Sequence, residues 1–452
     1  MSAGSFLDGF WYNKTQGGDV MQTIDIKVEQ GILRGEQKGR QMIFRGVPYA
    51  KPPINDNRFK SPQAMSHWIG VRNALEFGSI CPQANLKDLP IYGKEFYAGE
   101  QPKQSEDCLY LNIWAPSNYQ NKKYPVALWI HGGDFDHGYG FELPMDGKNY
   151  VTRDVILVTI NYRVGIFGFM ASPELTREDP LHSVSNLGLL DMIYALRWVR
   201  RNIDAFGGDP DRITLMGQSA GAISCQVLLA SPLTRGMISS AILQSGAGID
   251  DGLKRLQSKK KAYKIGKRVM ELLKVRSLKE LRKIPTQKFL SLYGKLYEEA
   301  DKTGELVFLP TLDHLVIEKD LDELFRKQEV MNVPILIGMT DHDLGVEEGK
   351  GAKSSFLYQG ILNLVESRQN QAPVYMYIFK KKLPGDELGA FHSSDLWFTF
   401  GTLEKSWRTF DRRDYRLRDA VLDQWMNFIK KGNPENGWKA YRQEVPFIRV
   451  IV

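Results

Sequence analysis

The chain has 452 residues, of which 42% are hydrophobic, and a formal net charge of +7. That is ample for a large buried core, and no apolar run approaches the roughly 18 residues needed to span a bilayer. Three cysteines, Cys81, Cys108 and Cys225, are too few for a disulfide scaffold.

Residues 1–20 are Gly-rich and polar, without the basic and apolar regions of a signal peptide, and are read as a flexible extension. Residues 21–452 are expected to form one domain, and free thiols in a cytoplasmic setting follow from the same reading. Tyr124–Ile130 and Asp154–Tyr162 are continuously apolar and read as strands buried on both faces. Leu189, Leu190, Ile193, Leu196, Val199, Ile203 and Phe206 mark one face of a helix, which Gly207-Gly208-Asp209-Pro210 ends. Arg212–Met216 and Ser240–Gln244 are further strands, followed by Val333–Gly338 and Val374–Phe379. A closing helix runs from about Ala420 to Lys431. Strands alternating with helices predict an α/β fold with a largely parallel sheet.

Residues 254–288 hold 14 Lys/Arg against Glu271 and Glu280, a local charge of +12, so the remaining chain is near −5 by difference from +7. Ile265, Val269, Leu272 and Leu273 recur there at helical spacing, which predicts amphipathic helices with a solvated basic face.

Gly217-Gln218-Ser219-Ala220-Gly221 fits the G-x-S-x-G pattern between a strand and an apolar helix, the context of a nucleophile elbow. A serine hydroxyl needs a base within hydrogen-bond reach, and the base needs an orienting acid. Of seven histidines, His314, His342 and His392 follow Ser219. His392 lies in a turn-like stretch after a strand and is the expected base. Spacing alone leaves Asp341, Asp343 and Glu347 as candidate acids. The N–H of Ala220 and the Gly-rich turn His131-Gly132-Gly133-Asp134-Phe135 supply donors for an oxyanion hole.

Taken together, these segments resemble the type B carboxylesterase family, the carboxylesterase/cholinesterase branch of the α/β-hydrolases. Phe44–Ala50, Ser105–Asn112, Asn161–Gly165, Asn186–Asp191 and Phe206–Pro210 carry the resemblance, which is nearest to bacterial members. It implies an α/β-hydrolase fold, a large mostly parallel central sheet flanked by helices, acting as a serine carboxylesterase on small to medium esters. It implies Ser219 as nucleophile, His392 as base and Asp343 as acid, with Gly133, Asp134 and Ala220 as the oxyanion hole. Gln218, Ser245 and Asp395 would lie around the triad, and Phe135, Phe141, Trp397 and Phe398 would line the pocket. Arg45 with Glu106 and Arg163 with Asp191 would be structural ion pairs. Cys81 and Cys108 fall where secreted members place a disulfide.

Three departures stand out. Asp134 replaces the family's usual third glycine, and is expected to point away or bind a neighbour. Gln218 replaces a common Glu. The Asp343–His392 spacing is shorter than usual, which predicts that residues 345–372 form a reduced cap. The partner expected is a small-molecule ester, with no metal, organic cofactor, nucleic acid or membrane span; the oligomeric state is open between monomer and dimer. The competing readings are a catalytically weak or inactive esterase-fold protein with a truncated cap, and a cholinesterase-like binding protein.

Overall fold

Twelve strands form one sheet in the computed structural model, which describes residues 21–118, 122–183, 185–253, 255–301 and 307–452. The predicted extension 1–20 and Lys254 lie outside these. In chain order the strands are β1 (Gln22–Val28), β2 (Gly31–Lys38), β3 (Gln41–Pro48), β4 (Val71–Asn73), β5 (Tyr110–Pro116) and β6 (Tyr124–Ile130). They continue with β7 (Ile156–Ile160), β8 (Gly208–Gln218), β9 (Ser240–Gln244), β10 (Ile335–Thr340), β11 (Val374–Phe379) and β12 (Ile448–Ile451). Their order across the sheet is β1-β2-β3-β5-β7-β6-β8-β9-β10-β11-β12, with β4 beside β2. The pairings along the path β1-β2-β3-β5-β7 are antiparallel, while β4 lies parallel to β2. Those from β7 to β12 are parallel.

Every residue of β6, β7, β9, β10 and β11 is buried. The reason is the period of two: Val126, Leu128 and Ile130 enter one core, and Ala127 and Trp129 enter the other. Among the helices packed on the sheet are α1 (Leu187–Asn202) and α2 (Ala220–Ala230), and, after the more peripheral α3 (Lys259–Leu273), α4 (Phe356–Glu366) and α5 (Arg412–Lys431). Gly207 ends the turn after α1 in the left-handed conformation, at φ 81°. In α2 every residue but Ala230 is buried, as an apolar circumference demands. In α3, Ala262, Gly266 and Val269 are buried while Lys259, Lys260, Lys264 and Lys267 face solvent, so the predicted basic face is there.

Within residues 345–372, α4 makes the crossover that parallel β10 and β11 need, burying Leu357, Ile361, Leu364 and Val365 against the core. Two expectations are corrected. The closing helix begins at Arg412, well before Ala420, because Asp411 and Asp414 form a capping box. Glu106 pairs with Arg58, two contacts at 2.6 Å, and not with Arg45. The antiparallel register of β2 and β3 brings Glu36 to Arg45 at 2.7 Å instead. Arg163 and Asp191 form the expected buried bidentate pair at 2.7 Å. Cys81, Cys108 and Cys225 are free and buried.

Candidate active site

The site lies where the parallel strands end. β8 runs out at Gln218, and Ser219 opens α2 with φ 55° and ψ −127°. Ser219 N–H donates to the Gln244 carbonyl at 2.8 Å, and Ser245 N–H donates to Gly338 O at 2.8 Å, so the ends of β8, β9 and β10 are laced together. The turn has room only for glycines. A Cβ on Gly221 would fall 2.2 Å from Ile130 O, and one on Gly217 would fall 2.4 Å from Gly221 O.

Asp343 follows β10. Its Oδ2 accepts from Thr340 N at 2.9 Å and from the Thr340 hydroxyl at 3.0 Å, and its Oδ1 accepts from Leu344 N at 2.8 Å. The segment after β11 returns alongside, with His342 N–H donating to Ala390 O at 3.0 Å, and sets His392 opposite Asp343. His392 Nδ1 and Asp343 Oδ1 are 2.5 Å apart. Burial by itself would lower the His392 pKa. The Asp343 charge and hydrogen bond, joined by the charges of Asp134 and Asp395, outweigh it and raise the pKa. For Asp343, burial works upward, and the His392 contact turns the net shift downward.

With Nδ1–H given to Asp343, His392 Nε2 carries a lone pair. Gln218 Nε2 donates to it at 3.0 Å. Among the described residues the Ser219 hydroxyl makes no hydrogen bond. His392 Nε2 is therefore held by a neutral amide next to Ser219. Ser245 is buried with its hydroxyl near enough to Asp343 to favour the carboxylate, although outside hydrogen-bond alignment. Asp395 is wholly buried and accepts from Gln244 Nε2 at 3.0 Å and from Tyr377 OH at 2.9 Å. Burial pushes its pKa up to about 6.

The turn after β6 lies against Ser219: a Cβ on Gly132 would sit 3.1 Å from Ser219 Cβ. Gly133 has φ 92° and its carbonyl accepts from Asp136 and His137 N–H, which closes the turn. Among the described residues the N–H groups of Gly133, Asp134 and Ala220 donate to no protein acceptor. The Asp134 side chain is exposed and, among the described residues, bound to no neighbour.

The expected aromatic lining is corrected. Phe135, Trp397 and Phe398 are wholly buried. Phe135 packs edge-on against Phe169 with centroids 5.2 Å apart. The Trp397 indole donates to Glu95 at 2.6 Å, and Phe398 lies between Phe379 and Phe410. Each is core: the turn after β6 aims Phe135 inward, and the short helix Leu396–Thr399 buries Trp397 and Phe398. Phe141 is half-buried and stacks on exposed Phe77 at 4.2 Å. An open cleft of about 430 Å³ beside Arg58, Glu106 and Thr286 contains none of Ser219, Asp343 and His392. Thr340, Gln244 and Tyr377 were not foreseen. Thr340 ends a strand three residues before the acid, which is a usable signal; Gln244 and Tyr377 lie inside strands and carry none.

A mixed sheet whose parallel half ends in a serine on a strained strand–helix turn, facing a histidine–carboxylate pair across its edge, defines an α/β-hydrolase. The chain matches the Carboxylesterase family over residues 22–355 and 350–450. It belongs to that family and is a carboxylic ester hydrolase. It is 32% identical to the para-nitrobenzyl esterase of Bacillus subtilis over 93% of both chains. It is 29% identical to liver carboxylesterase 1F of Rattus norvegicus over 90% of this chain and 85% of that one. A solved PNB esterase structure superposes with a TM-score of 0.83 at 30% identity over 95% of both chains.

Proposed function

We propose that Ser219 is the nucleophile, His392 the general base and Asp343 the orienting acid of a two-step acyl transfer on small to medium carboxylic esters. The 2.5 Å contact between His392 and Asp343 is the observation that carries this reading, because it fixes the Nδ1–H tautomer that leaves Nε2 basic. As substrate enters, the Ser219 hydroxyl gives its proton to Nε2 and its oxygen attacks the ester carbonyl. The N–H groups of Gly133, Asp134 and Ala220 receive the oxyanion, since they have no protein acceptor to give up. The imidazolium then protonates the departing alcohol, and water repeats the sequence on the acyl-enzyme. Gln218 must yield Nε2 during this exchange. The three free thiols support a reducing, cytoplasmic setting.

The test is turnover of a p-nitrophenyl series from acetate to decanoate by the wild type and Ser219→Ala. Loss of at least about 10³-fold in kcat for the variant is expected, and the chain-length optimum sizes the pocket. Folded wild type that turns over no member of the series would overturn the reading, in favour of an inactive or binding protein.

A further inference from the structure

The acidic groups near the Gly132–Asp134 turn are not alike. Asp136 is bound to the His137 ring, and Glu142 accepts from Tyr97 OH at 3.2 Å and Tyr139 N at 3.1 Å. Asp134 alone among these three is solvent-exposed and without a hydrogen bond or ion pair among the described residues. It stands two residues beyond Gly132, which touches the nucleophile, and its φ of 48° fixes it at the bend of the turn. Its charge reaches His392 and Tyr92, and on its own side of the site His137, Asp136 and Tyr162. Asp343 and Asp395, whose charges also act on His392, are both buried and both held by hydrogen bonds. Gln218, beside the nucleophile, is neutral. The free carboxylate at this site is thus on the oxyanion turn.

We propose that Asp134 selects substrates by charge, favouring esters with a cationic group close to the scissile carbonyl and rejecting those with a carboxylate there. The inference rests on Ser219, His392 and the turn acting as described above. The physical basis is a fixed negative charge at a site entrance, flanked by low-dielectric protein, which raises the local concentration of cations and repels anions. The same field opposes the oxyanion of any substrate, so the carboxylate is a cost to catalysis that only a cationic substrate offsets.

The experiment measures kcat/KM for three p-nitrophenyl esters with a common leaving group: the neutral butyrate, the anionic hemisuccinate and the cationic γ-trimethylammoniobutyrate. The enzymes are wild type, Asp134→Asn and Asp134→Gly. Asn and Gly both accept a positive φ, so the turn and its N–H are retained, and the Gly variant serves if the Asn variant fails to fold. Expressed relative to butyrate, each variant should gain about three- to tenfold on the hemisuccinate and lose about as much on the cationic ester. Ionic strength of about 0.5 M should erase most of the difference. Ratios that stay within about twofold, or that move in the same direction for both charges, overturn the proposal, because a merely structural change has no sign of charge. Failure of the underlying reading looks different: butyrate itself would not be hydrolysed in a Ser219-dependent way, and the selection would fall with it.

Discussion

At His392, burial and charge pull in opposite directions, and under the proposed mechanism the result sets the working pH range. The Asp343 contact raises the pKa above the ordinary 6.5, and the base works only when unprotonated. The acid limb of kcat/KM should therefore have its midpoint above 6.5. Gln218→Glu would put a second carboxylate 3.0 Å from Nε2. It should move the midpoint upward by about one unit and lower activity at neutral pH, with recovery in alkali; an unmoved midpoint would mean that the amide does not hold Nε2. The pair also contributes to folding. The raised His392 pKa gives stability that is full below 6.5 and lost as pH rises through the folded value. The lowered Asp343 pKa gives stability present above 3.8 and lost below it. Replacing His392 by Gln should accordingly cost more melting temperature at a pH of about 5 than at about 8.

At the scale of elements, close crossings are the constraint. Gly221 lets α2 cross the end of β6, and a methyl group there would meet two backbone carbonyls, those of Ile130 and His131, at 2.2 and 2.7 Å. Gly221→Ala should cost about 2–4 kcal/mol in urea unfolding and lower kcat as the oxyanion turn shifts. At the start of α5, Asp411→Ala removes one half of a capping box and should cost about 1 kcal/mol. Legibility followed the same physics. β6, β9 and β11 have the predicted ends because a strand buried on both faces is continuously apolar. The start of α5 was hidden because Arg412-Arg413-Asp414-Tyr415-Arg416 has no apolar period; its signal was the Asp411–Asp414 spacing. Glu106 was given to the wrong arginine because side-chain partners depend on register, which composition does not reveal.

Across the whole molecule, Glu95 joins segments about three hundred residues apart. It accepts from Arg408 Nη2 at 3.0 Å, Trp397 at 2.6 Å and Trp407 at 2.9 Å. Arg408 goes on to Pro384 O and Asp386, each at 2.6 Å, and so anchors the segment that leads to His392. Glu95→Ala would leave a fully buried guanidinium short of its main partner. A loss of about 3–5 kcal/mol is expected, with weakened turnover at temperatures where the protein is still folded. Ser219 and His392, which the structure brings together with Asp343, were legible because a serine and its base have a required context and chain order; Asp343 followed only from the family resemblance, since spacing alone also admits Asp341 and Glu347. The sequence missed this scaffold, and mistook Trp397 for pocket lining, because an aromatic residue near a catalytic histidine has the same letter whether it faces substrate or core.

Ser219 has one more consequence. At φ 55° and ψ −127° its backbone lies in territory suited to glycine, at a cost of about 1–3 kcal/mol. Ser219→Gly should thus melt higher than Ser219→Ala, and higher than the wild type, while hydrolysing nothing. Selection for durability alone would erase the hydroxyl on which the proposed acyl transfer depends.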